Sequence, residues 1–155
     1  MKITEIRTYL VDGARPGPHA LAGRNWLFVK ILTDEGIYGV GECSGWPRVI
    51  ETANKDLTPV LIGEDPTHIE KLWQKMLLST MHHGMTGIVG SGAMNGIDMA
   101  LWDIKGKALN TAVWNLLGGK IRDRIWAYAH AHTAERAEEL CARGFTALKA
   151  GGPAH

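Results

Sequence analysis

Ala93-Met94-Asn95-Gly96-Ile97-Asp98-Met99-Ala100-Leu101-Trp102-Asp103-Ile104-Lys105-Gly106-Lys107 carries its apolar residues at a helical spacing. Ile97, Leu101, Ile104 and Ala108 follow one another at intervals of four, three and four, which places them on one stripe of an α-helix. Asp98 and Trp102 are four apart, and so are Asp103 and Lys107. The latter spacing predicts an ordinary ion pair on the solvent side of the helix. Asp98, Asp103 and Lys105 therefore read as helix surface rather than as catalytic groups. Residues 82–92 are rich in glycine and open this helix, while Ala112 to Leu117 adds a short one closed by Gly118-Gly119.

Upstream the period changes from helical to alternating. Residues 2–11 set Ile3, Ile6, Tyr9 and Leu10 among polar positions, which suits a half-buried strand. Residues 13–25 break the pattern with Gly13, Pro16, Gly17, Pro18 and Gly23 and read as a mobile loop. Trp26 to Thr33 is a second strand with Leu27, Val29 and Ile31 on one face, and Ile37 to Cys43 is a third. Asp34-Glu35-Gly36 between them is too short for anything but a hairpin, so the three strands form an antiparallel meander. Val49 to Leu57 is then helical, with a short further turn starting at Pro59. Asp65-Pro66 reads as an N-cap followed by proline at the first helical position, opening a helix through Ile69, Leu72, Trp73 and Met76.

Downstream of Arg124 comes a different grammar. Ile125 to His130 reads as a strand, Thr133 to Arg143 as a helix capped by Thr133 and ended at Gly144, and Phe145 to Lys149 as a strand. Strand, helix, strand is a βαβ unit with parallel strands. A complete (β/α) barrel needs about 250 residues, so residues 125–155 can only begin one. The expected architecture is an α+β capping domain over residues 1–120, a three-stranded meander with helices. The first βαβ of an incomplete barrel follows over residues 125–155.

Composition bounds the function classes. The 155 residues are 45% hydrophobic and 21% charged, as in a globular domain with its own core. A net charge of +1 leaves no basic footprint for nucleic acid. No apolar run approaches the ~20 residues that span a bilayer, and the N-terminus has no signal-peptide core. The expected location is the cytoplasm. Cys43 and Cys141 match no metal or redox spacing, and the expectation is two buried thiols.

The segment 93–107, continued by Ala112-Val113-Trp114-Asn115-Leu116-Leu117-Gly118-Gly119, strongly resembles the signature of the mandelate racemase and muconate lactonizing enzyme family, within the enolase superfamily. Thr33-Asp34-Glu35-Gly36 with Gly39-Val40-Gly41-Glu42 is similar to that family's N-terminal hairpin. Leu61-Ile62-Gly63-Glu64-Asp65-Pro66 is similar to its interhelical turn, and Gly118-Gly119-Lys120-Ile121-Arg122-Asp123 to its link into the barrel. The resemblance implies abstraction of a proton next to a carboxylate, giving an enediolate held by Mg²⁺. A metal is needed because such a proton is hardly acidic, and two oxygens must take up the developing charge. The resemblance further implies that the metal ligands, an Asp and two Glu at later barrel strands, lie beyond His155, so no residue of this chain is assigned to the metal.

Two strand-end residues and two loops are the candidates for substrate contact. His130 ends the first barrel strand and Lys149 the second, and barrel active sites lie at such ends. Tyr128-Ala129-His130-Ala131 also resembles sugar-acid dehydratases of the mannonate type, where the histidine contacts substrate. The alternatives are a satisfied strand-end histidine and a snorkelling lysine. Lys149 aligns with the first lysine of the racemase Lys-x-Lys motif, but the second falls on Gly151, which has no proton to exchange. That departure disfavours racemase chemistry. Arg15, His19 and Arg24 in the first loop, and Trp46 and Arg48 in the second, could set substrate choice, arginine by forking onto a carboxylate and tryptophan by excluding water. Otherwise they are scattered charges on solvated loops. His82-His83 is not read as a metal pair, since adjacent residues do not converge. The expectation is the N-terminal part of a Mg²⁺-dependent hydro-lyase acting on galactonate or mannonate, homo-oligomeric at full length and inactive as the 155 residues alone. The rivals are a racemase or cycloisomerase of the same family and a non-catalytic fragment or interaction module.

Overall fold

β1 (Ile3–Val11), β2 (Trp26–Thr33) and β3 (Tyr38–Cys43) form one antiparallel sheet in the order β1-β2-β3. The computed structural model describes residues 1–13, 25–82, 84 and 87–150. These fall into two units, Met1–Gly119 and Lys120–His155. Alternation explains the sheet. Leu27, Val29 and Ile31 point inward and are fully buried, while Trp26 and Tyr38 point outward. Gly36, with a φ of 79°, supplies the left-handed residue that the hairpin needs.

α1 (Pro47–Leu61), α2 (Ile69–His82), α3 (Ile88–Ala108) and α4 (Val113–Leu116) follow. The stripe of α3 is buried as its spacing requires: Ile97, Leu101 and Ile104 are closed off from solvent, while Ala108 lies at the exposed end. They meet Leu27, Ile31, Ile50, Leu57 and Leu72 in one core. α3 approaches β3 so closely that side chains are excluded between them. A Cβ on Gly41 would stand 1.9 Å from the carbonyl oxygen of Gly96, and one on Gly39 1.9 Å from that of Ala100.

Two helix starts differ from the sequence expectation. α1 runs unbroken from Pro47 through Pro59 to Leu61, with no second turn beginning at Pro59. A proline in the last turn forfeits only one hydrogen bond, and Thr58 Oγ1 returns to the carbonyl of Asn54 at 2.8 Å. α2 begins at Ile69 rather than Pro66, because Asp65 Oδ1 accepts from the Thr67 amide at 2.9 Å and its hydroxyl at 2.8 Å. That Asx turn competes with helical hydrogen bonding.

The second unit holds β4 (Ala129–His130), α5 (Ala134–Ala142) and β5 (Leu148–Lys149). β4 and β5 are parallel, as expected of a βαβ unit. Both are shorter than the predicted spans 125–130 and 145–149, because each has one neighbour strand in this unit and the ladder closes over two rungs. Outside the ladder, Trp126 Nε1 donates to Thr146 Oγ1 at 2.8 Å. Thr133 caps α5 by accepting from the Arg136 amide at 3.2 Å. Cys141 is exposed, contrary to the expectation of two buried thiols. Leu140 takes the buried position of α5, and its neighbour is carried about 100° away.

Candidate functional site

In the second unit the parallel ladder brings His130 and Lys149 together. They are register partners on adjacent strands, which places them roughly 4.8 Å apart in the pairing direction on the same face. The amide of Ala131 donates to the carbonyl of Lys149 at 3.1 Å, locking the two strand ends level. Both residues are exposed, and among the described residues Lys149 has no carboxylate partner. Tyr128 and His132 flank His130, with ring centroids 5.8 and 6.0 Å from it. An ammonium beside an imidazole at a strand end can hold a carboxylate and a hydroxyl of one small acid.

In the first unit the end of β3 and the start of α1 build a groove of about 690 Å³. Trp46 and Arg48 both line it, so the two candidates of the second loop do come together. Trp46 sits at the N-cap of α1 with extended backbone and is 78% exposed, because Pro47 takes the first helical position. Asn25, Trp26 and Glu42 complete the polar and aromatic walls. Sequence reasoning passed over those three. The available signal was strand phase: Trp26 and Glu42 each precede an inward residue, Leu27 and Cys43, and so must face out at a strand end. Cys43 closes the groove from the core side. Burial pushes its thiol pKa up, partly offset by the Asn54 amide, which donates to Sγ at 3.2 Å. Arg15, His19 and Arg24 lie outside the described residues, as does His83.

Asp103 and Lys107 form the expected pair at 2.7 Å, but the pair also serves the sheet. Asp103 Oδ2 accepts from the Val40 amide at 2.9 Å, and Lys107 Nζ donates to the Tyr38 carbonyl at 2.8 Å. They satisfy the open edge of β3. Asp98 is half-buried on α3, and desolvation, with Glu70 adding a like charge, raises its carboxyl pKa. Among the described residues no three His, Cys, Asp or Glu side chains converge as a metal centre. The described residues do not themselves fit a magnesium site.

Residues 6–118 match the family described as mandelate racemase / muconate lactonizing enzyme, N-terminal domain. The chain belongs to that family. Among solved structures it is similar to the 3,6-anhydro-D-galactonate cycloisomerase from Zobellia galactanivorans, at 36% identity and a TM-score of 0.85, covering 97% of this chain and 42% of that one. A protein assigned as a dehydratase from Zymomonas mobilis ZM4 matches at 36% identity and 0.88, covering 99% and 43%. An enolase from Pantoea ananatis with bound D-gluconate and Mg matches at 36% and 0.81, covering 96% and 36%. The chain thus spans about two fifths of the length of the first two of these solved relatives. The mandelate racemase family fold extends through the second unit, which is the start of a (β/α) barrel. No helix among the described residues is long and apolar enough to cross a membrane.

Proposed function

We propose that this chain is the capping and first-barrel portion of a sugar-acid dehydratase of the galactonate or mannonate type, a hydro-lyase of the cytoplasm. The observation that carries the reading is the level pair His130 and Lys149 at the ends of two parallel strands. In this reading the Lys149 ammonium balances the substrate carboxylate, and His130 hydrogen-bonds a hydroxyl next to it. Trp46 and Arg48, and Arg15 and His19 of the first loop, are the residues of the first unit proposed to influence substrate choice. Gly151 offers no base where a racemase would have its second lysine, so the proton acceptor belongs to later strands. Magnesium, when bound, would stabilise charge on the carboxylate oxygens.

The test uses a polypeptide in which these residues continue into a complete barrel, incubated with D-galactonate and D-mannonate. A 2-keto-3-deoxy acid should form. His130→Asn and Lys149→Met should each lower kcat/KM by on the order of tenfold to a hundredfold, the worth of a charged hydrogen bond. Likeness to a cycloisomerase favours isomerisation as the second reading. Exchange of the α-proton with deuterated solvent, without loss of water, would support that reading and overturn dehydration.

A further inference from the structure

Tyr128, His130 and His132 alternate with Ala129 and Ala131 around the short strand β4. Ala131 is buried, while Tyr128 and both histidines are exposed. Alternation along extended backbone sends residues two apart to the same side, and the rings follow it. Their centroids form a row, 5.8 Å from Tyr128 to His130 and 6.0 Å from His130 to His132. The function proposed above uses His130 and gives His132 no task.

Neither imidazole is tied down among the described residues. The side-chain hydrogen bonds of the second unit go elsewhere, such as Trp126 to Thr146 and the Arg136 amide to Thr133. Lys149 pairs across the ladder with His130, and the ladder ends there, so His132 stands past the last rung. Two imidazoles on one tetrahedral zinc, each nitrogen ~2.0–2.1 Å from the metal, set their ring centroids roughly 5 Å apart. The pair at 6.0 Å is therefore close to that spacing. The remaining movement of about 1 Å is a side-chain torsion adjustment, open to exposed rings.

We propose that His130 and His132 form a chelating pair for a late first-row transition-metal dication, with zinc as the type. Imidazole suits zinc, nickel and copper, whereas magnesium takes oxygen ligands. This site thus differs in kind from the magnesium centre that the family resemblance implies. Both rings bind as neutral imidazoles, and water fills the positions left open. Occupancy withdraws His130 from the substrate hydroxyl assigned to it above, and that consequence alone rests on the dehydratase reading. The experiment is equilibrium dialysis of residues 1–155 against zinc chloride near neutral pH, with and without magnesium chloride. It needs no turnover, so its failure is separate from failure of that reading. Zinc should be retained and magnesium should not displace it. His130→Gln and His132→Gln should each weaken binding at least about tenfold, since even a residue that only supports a ligand is worth that much. Circular dichroism checks that each variant is folded. His68→Gln, and His82→Gln combined with His83→Gln, should leave binding unchanged. A synthetic peptide of residues 126–134 should bind about tenfold more weakly, because pairing with β5 pre-sets the two rings. No retained zinc overturns the proposal, and so does retention that survives His132→Gln. Loss of zinc to magnesium, or to the His68 or His82 and His83 variants, overturns it too, as does a peptide that binds as tightly as the chain.

Discussion

Gly41 shows how much one side chain can matter here. A methyl group at that position meets the Gly96 carbonyl at 1.9 Å, and backbone cannot move aside as a flexible side chain would. Gly41→Ala should therefore destabilise the chain by about 3 kcal/mol, the upper part of the range for overpacking, read from urea unfolding midpoints. Glu64 makes a different prediction. Hydrogen bonds from Lys71 and then Lys75, at 2.8 and 2.7 Å, lower its pKa from 4.5 to about 2. A carboxyl depressed in the folded state contributes stability above its unfolded pKa and loses it as pH falls through the folded value. The melting temperature should thus fall from pH 4.5 toward 2, and Glu64→Gln should flatten that slope in a thermal-melt series. The roles of Asp103 and Lys107 were only half legible in the sequence. Their spacing announced the pair, while their bonds to Val40 and Tyr38 join residues more than sixty positions apart.

At the scale of elements, strands and helices with strong periodicity came through well. β1, β2, β3 and α3 stand within a few residues of where alternation and the four-three-four stripe put them. Helix starts fared worse, because they turn on local hydrogen-bond choices. Asp65 satisfies Thr67 in a turn instead of capping a helix at Pro66. Thr133 does act as a cap, and α5 is short enough to depend on it. Thr133→Ala should cost about 1 kcal/mol. Hydrogen exchange at the α5 amides should quicken roughly fivefold, since 1.4 kcal/mol is a factor of ten, with the α3 amides unchanged. The barrel strands came out shorter than predicted because a strand in a parallel sheet is completed by its neighbours on both sides, and here each has one.

For the molecule as a whole, the two units differ in how much core they own. The first buries a full set of leucine, isoleucine and methionine side chains, while the second closes off Ala131 and Leu140 and leaves Trp126 and Tyr128 exposed. Each large apolar side chain left out forgoes about 1.5–3 kcal/mol. Amides of residues 125–149 should therefore exchange faster than those of 97–108. Equal protection in a monomeric sample would show that the second unit folds unaided. A preparation of these 155 residues with Mg²⁺ should also leave galactonate and mannonate unchanged, since no three ligating side chains converge among those described. Turnover lost to EDTA would refute this. By itself the sequence determined the family, the meander, the long helix and the parallel βαβ start, because each depends on local periodicity or on a fixed-spacing signature. Only the tertiary structure decided that Trp26 and Glu42 share a groove with Trp46 and Arg48, that His130 and Lys149 stand level, and that α3 touches β3 backbone to backbone. Those are distances between segments far apart in the chain, set by register and by close packing, and no local spacing encodes them.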